Sequence, residues 1–152
     1  MGATLRIYED LYDEEFSLVG IHTSLEDYTL VYALNEALKI HLKRTEKDLI
    51  FSSSISYPCF EWKDELYDQN WVLFINSCIT SQQTTPAGLF PEELSYTSHQ
   101  LVPEHKEVNY LLKMDEDVLN SVLLKKIKAI PKVVTAYAIE TEKLKSKPNL
   151  IF

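Results

Sequence analysis

The chain has 152 residues, 45% of them hydrophobic and 25% charged, which is the balance of one globular domain able to bury a core. Its net charge of −8 argues against a protein that lives mainly on phosphate-backbone contacts. Three glycines exclude collagen and glycine-rich linkers, and with them a Walker loop or a G-x-G-x-x-G turn. The first ten residues lack an apolar h-region and no 18-residue apolar run occurs, so neither a signal peptide nor a spanning helix is expected. Two cysteines are few for a disulfide scaffold, and reduced thiols in a cytoplasmic protein fit better.

In chain order, residues 5–8 suggest a short strand and the acidic residues 9–15 a turn. Residues 16–22 read as a buried strand. Thr23-Ser24-Leu25-Glu26 then has the T-x-x-E form of a capping box. Leu30, Val31, Leu34, Ala37, Leu38, His41 and Leu42 follow in steps of three and four, predicting a helix over about 24–43. Residues 48–54 alternate as a strand, and 57–63 with 71–78 form a predicted hairpin. A turn near Leu66 and Tyr67 sets Cys59 opposite Phe74, away from Cys78.

Residues 80–100 are rich in Ser, Thr, Gln and Pro and are expected to form a long loop tipped by Leu89 and Phe90. Residues 107–114 alternate as a strand. A second helix is expected after Asp115, with Glu116 and Asp117 in its first turn and Lys125, Lys126 and Lys128 in its last. Its stripe is Leu119, Val122, Leu123, Ile127 and Ile130, and Pro131 stops it. Residues 133–139 are apolar on both faces, which predicts a central strand. A tail at about 141–152 ends in Leu150, Ile151 and Phe152, and its folding back to seal the core is favoured over docking elsewhere. The expected whole is a single α+β domain over residues 1–152. It would hold a mainly antiparallel sheet of about six strands, with two helices packed on one face.

Val102-Pro103-Glu104-His105-Lys106-Glu107-Val108-Asn109-Tyr110 resembles the signature of the IPExxxVDY family, which is associated with Bacteroidota. Val102 stands for Ile and Asn109 for Asp. Residues 20–28 and 145–152 are similar to that family's N-terminal and C-terminal segments. The resemblance implies no activity, cofactor or catalytic residue, and Asn109 puts in doubt any role that needs an ionised acid there.

Among candidate sites, His22 and Ser24 stand where a strand meets a helix N-terminus, a place for an anion or for a nucleophile with its base. Capping by Thr23 or Ser24 with Glu26 is the more ordinary explanation. His99, Glu104, His105 and Glu107 crowd one stretch, but no H-x-x-x-H or H-E-x-x-H spacing marks a metal site, and no cofactor is expected. The nucleophile elbow G-x-S-x-G is absent too.

With no catalytic signature, the leading expectation is a non-enzymatic interaction or regulatory module that binds a protein partner or itself. Its candidate contacts are Tyr28, Tyr32, Leu89, Phe90, Leu150, Ile151 and Phe152. The alternatives are a small-molecule sensor or enzyme near His22, and a local RNA contact through the lysines of the second helix and tail.

Overall fold

The computed structural model describes residues 16–52, 55–66, 68–84, 93–115 and 121–150. The expected strand at 5–8 and turn at 9–15, together with Leu89, Phe90, Glu116, Asp117, Leu119, Ile151 and Phe152, lie outside them. The strands are β1 (Phe16–Thr23), β2 (Lys43–Arg44), β3 (Leu49–Ser52), β4 (Ile55–Tyr57), β5 (Cys59–Asp64), β6 (Gln69–Ile75), β7 (Ser77–Thr84), β8 (Glu93–Gln100), β9 (Tyr110–Asp115) and β10 (Val133–Ile139). The helices are α1 (Asp27–Leu38) and α2 (Ser121–Lys128). Six strands form one antiparallel sheet in the order β10-β1-β9-β6-β5-β2, so the fold is α+β as expected.

Successive side chains of a strand point to opposite faces, and the middle strands here are apolar on both. Val19, Ile21, Trp71, Leu73, Leu112 and Met114 face one way, against Leu30, Val31 and Leu34 of α1 and Ile127 of α2. Leu18, Val72, Phe74 and Leu111 face the other way. There they meet Leu101, Val102 and Val108 of the link before β9, and Leu144 and Leu150 of the chain after β10. Both helices thus share one face, and two irregular segments cover the other. Fully burying a leucine such as Leu150 contributes about 1.5–3 kcal/mol toward holding the tail down.

Lys113 of β9 is buried on that second face, where an uncompensated ammonium would be costly. Its Nζ donates to the Leu150 carbonyl at 2.7 Å and lies 4.8 Å from the centre of the Phe16 ring. The tail therefore folds back as favoured from the sequence, and Leu150 is core, not a docking residue.

Several expectations are corrected. The first helix begins at Asp27 and ends at Leu38, where Lys39 takes a left-handed φ of 57°. Ile40 and Leu42 still reach the core, but from an extended segment. Asn35 holds that segment like a partner strand: its Oδ1 accepts the Leu42 N–H and its Nδ2 donates to the Leu42 carbonyl. His41 is consequently exposed, its ring near perpendicular to that of Trp62. The 57–63 strand breaks at Pro58, which lacks the N–H that a ladder needs, into β4 and β5. Cys59 does lie opposite Phe74, and its thiol is free and buried.

Much of the expected 80–100 loop is instead ladder. Ser77–Thr84 and Glu93–Gln100 pair as a two-stranded antiparallel hairpin. Asp115 ends β9, and the residues that would follow it into the second helix lie outside the described residues; Val122 is 56% exposed, outside the α2 stripe. β10 is an edge strand, not a central one, with Val134 81% exposed. Of β10 only Val133, Ala136 and Ile139 are buried: Val133 and Ala136 face the helices across the register slip opposite His22/Thr23 of β1, and Ile139 faces the other way.

Gly20 sits in β1 beneath Val108 and Ile139, whose side chains would stand 3.0 Å from an added Cβ. Gly20→Ala is expected to lower stability by about 1–3 kcal/mol through overpacking, read as a lower urea midpoint at unchanged slope.

Candidate functional site

His22 and Ser24 are neighbours in sequence, but the structure does not bring their side chains together. His22 lies on the same strand face as Leu18 and Gly20, with Nε2 3.2 Å from the Tyr137 hydroxyl. Ser24 is exposed on the link to α1. Nor is Thr23 the cap. It still pairs in β1, and its Oγ1 accepts the Leu25 N–H and donates to the Lys132 carbonyl. Glu26 occupies the cap position without a side-chain cap bond, so the capping box does not form. Asp27 adds negative charge in the first turn, which disfavours an anion there.

The segment 102–110 explains its own residue types. Asn76 at the end of β6 is wholly buried and anchors it. Its Oδ1 accepts the Val102 N–H, and its Nδ2 donates to the His105 and Val108 carbonyls. Pro103 opens a short 3₁₀ turn. The Glu104 carboxylate accepts both the backbone N–H and the hydroxyl of Ser146, which ties the tail down. Asn109 Oδ1 accepts the Thr23 N–H at 2.9 Å. The Tyr110 hydroxyl donates to the Leu25 carbonyl at 2.6 Å, fixing the approach to α1. Burial, with Asp27 and Glu26 adding, pushes that hydroxyl up to about 12, so it remains a donor throughout the physiological range.

Beside this segment, His22, Tyr137, Glu107 and His105 form a hydrogen-bonded row. The Tyr137 hydroxyl donates to Glu107 Oε1 at 3.3 Å, and His105 Nδ1 lies 3.5 Å from the same oxygen. Burial and the facing carboxylate push the Tyr137 hydroxyl up. The Glu107 carboxyl is held below its usual range by its own backbone N–H and by Tyr137 and His105. The row pins the segment to β10. It is open to water on the Glu107 side and holds neither Ser nor Cys. Among the described residues no three His, Cys, Asp or Glu side chains are grouped to hold a metal.

The outer surface of the helical layer is different in kind. At 100° per residue, Tyr28, Tyr32 and Glu36 lie opposite the buried Leu30–Val31–Leu34 stripe of α1. Tyr28 is 64% exposed and Tyr32 73%. The Glu26 carboxylate accepts from the Tyr28 hydroxyl and raises it. A shallow groove of about 330 Å³ runs between α1 and α2. Ala33, Ala37, Ala129, Ile130 and Pro131 make it apolar, and Glu36 and Lys126 stand at its rims.

The lysines do not gather into one patch. Lys125, Lys126 and Lys128 belong to α2 on one face of the sheet, while Lys143 and Lys147 belong to the segment covering the other. Lys143 pairs with Glu140, and Lys147 stands over the Phe16 ring. Among the described residues no helix is long and apolar enough to cross a membrane. No protein-family model and no curated protein sequence matches the chain.

Two outcomes follow from the 102–110 geometry. Asn109→Asp keeps the acceptor for Thr23 and should leave stability within about 0.5 kcal/mol, whereas Asn109→Ala should cost about 1 kcal/mol in chemical denaturation. Partial burial pushes the Glu104 carboxyl up, but the two Ser146 bonds outweigh it and hold the group below the usual glutamate value. Its contribution is therefore full above pH 4.5 and lost as pH falls through the folded value. Glu104→Gln should cost less than about 1 kcal/mol, because the site is open to solvent. The protection factors over residues 144–150, which are exchange rates corrected for the intrinsic slowing of amide exchange in acid, should fall in acid in the native chain and should already be low at neutral pH in the variant.

Proposed function

We propose that the protein is a non-catalytic interaction module that docks another polypeptide on the outer surface of α1 and α2. The observation that carries the reading is the pair of exposed tyrosines, Tyr28 and Tyr32, one turn apart on the side of α1 that contributes nothing to the core. Tyrosine offers a large, stiff contact area with a polar tip and is enriched where proteins meet. The apolar groove beside them supplies the depression that an anchoring side chain fills. A cytoplasmic setting belongs to the proposal, supported by the free thiol of Cys59. So does kinship with the IPExxxVDY family, supported by the shared pattern at Glu104 and Tyr110.

A sensor or enzyme at His22 and Ser24 has less support, since the two side chains do not converge and His22 is engaged with Tyr137. RNA binding has less support because the described lysines lie on opposite faces of the sheet.

The test replaces Tyr32 with a photo-crosslinking amino acid in the native host, with Lys106 on the other face of the sheet as the control position. Polypeptide adducts are expected from position 32 and not from 106. They should fall roughly tenfold or more when Tyr28 is also changed to Ala, with the thermal midpoint of the chain unchanged. Equal labelling from both positions, or none from position 32, overturns the proposal.

A further inference from the structure

We propose that the polypeptide docked on this face is a second copy of the chain, related by a two-fold axis through the groove between α1 and α2. The inference rests on the reading of the helical face as a docking surface and names its occupant.

Charge carries it. Glu26, Asp27 and Glu36 outnumber the C-cap Lys39 and make the α1 side acidic on balance. The described part of α2, SVLLKKIK, holds Lys125, Lys126 and Lys128 and no acid. The two signs thus lie side by side on one surface with an apolar groove between them. No ion pair joins Glu36 to Lys126 across it among the described residues. Such a surface is its own complement. In an isologous contact, residue i meets j and j meets i, so the rotation that sets α1 on the partner's α2 also sets α2 on the partner's α1. Acid then faces base twice.

The apolar groups agree with this arrangement. Tyr28 and Tyr32 stand proud of α1, and Val122, also exposed, stands proud of α2. The rotation lays tyrosine against valine and against the lysine stems, where a ring face can also meet an ammonium.

Size sets the strength. Twelve residues of α1 and eight of α2 span about 18 and 12 Å, and each helix is about 10 Å across. The footprint is roughly 300 Å² per copy, against about 800 Å² for a standard interface. The dimer is accordingly weak, with a dissociation constant in about the micromolar range or above. Its assembly depends on concentration and weakens with salt.

Sedimentation equilibrium of the purified full chain, from micromolar to near-millimolar concentration, tests the inference. A monomer–dimer equilibrium weakened by added salt is expected. Glu36→Lys and Lys126→Glu should each weaken the dimer about tenfold by setting like charges opposite one another. An equimolar mixture of the two variants should recover the native affinity as a mixed dimer, because both contacts then pair opposite signs. Matching thermal midpoints show that the variants fold. A monomer at every concentration overturns the inference, as does a dimer indifferent to both reversals or a mixture that recovers nothing. If the chain is monomeric while Tyr32 crosslinks to a different protein, the second copy falls and the docking face stands.

Discussion

One buried side chain organises the half of the molecule that is not helical. Asn76 follows the last residue of β6, and all of its polar groups are engaged. Its backbone N–H donates to the Asn109 carbonyl, and its carbonyl accepts the Leu101 N–H. Its amide adds bonds to Val102, His105 and Val108. A link from β8 to β9 passes over an apolar sheet face, where unpaired peptide groups would be costly. Asn76 supplies the partners that a neighbouring strand would otherwise give. The link can then lower Leu101, Val102 and Val108 into the core without stranding its own backbone.

From that anchor the remaining contacts follow in order. A fixed link sets Tyr110 and Asn109 at the head of β9, where they hold Leu25 and Thr23 and so aim the chain into α1. The same link presents Glu104 to Ser146, and the tail closes over Lys113. Glu104, Asn109 and Tyr110 of the 102–110 segment thus act on backbone or tail, while Glu107 joins His105 to Tyr137. Asn109 meets the Thr23 N–H with a neutral acceptor, and no charge is needed there.

The parts of this fold that could be read from the sequence are those set by local pattern. The 57–63 and 71–78 hairpin register followed from alternation and turn length, and Cys59 opposite Phe74 is its result. The two helices and their shared face followed from apolar spacing. What misled was pattern shared between two causes. Leu38 and Leu42 continue the helical spacing past Lys39, yet Leu42 is held by Asn35 from an extended segment. Thr23 and Glu26 have capping-box spacing, yet the strand keeps Thr23. β7 and β8 pair only with each other, so no apolar alternation marks them. Asn76 left a faint signal, one amide inside an otherwise apolar run, which reads as significant only once its three partners are seen. Of the candidate site, Tyr28 and Tyr32 were legible because they fall off the stripe. The groove was not, because it requires α1 and α2 to be placed side by side.

That placement gives the helical face a freedom the other face lacks. On the second face Asn76, Glu104 and Lys113 hold the link or the tail, and a change at any of them is first a change in stability. On α1 the core is met by Leu30, Val31 and Leu34, and the opposite side answers to no internal partner beyond Glu26 at Tyr28. Two large aromatic side chains kept in water on a helix gain nothing from burial and slightly disfavour the helix relative to Ala. Their presence has no explanation in the isolated fold. It has one if the surface is covered, and the opposed charges of α1 and α2 describe what could cover it.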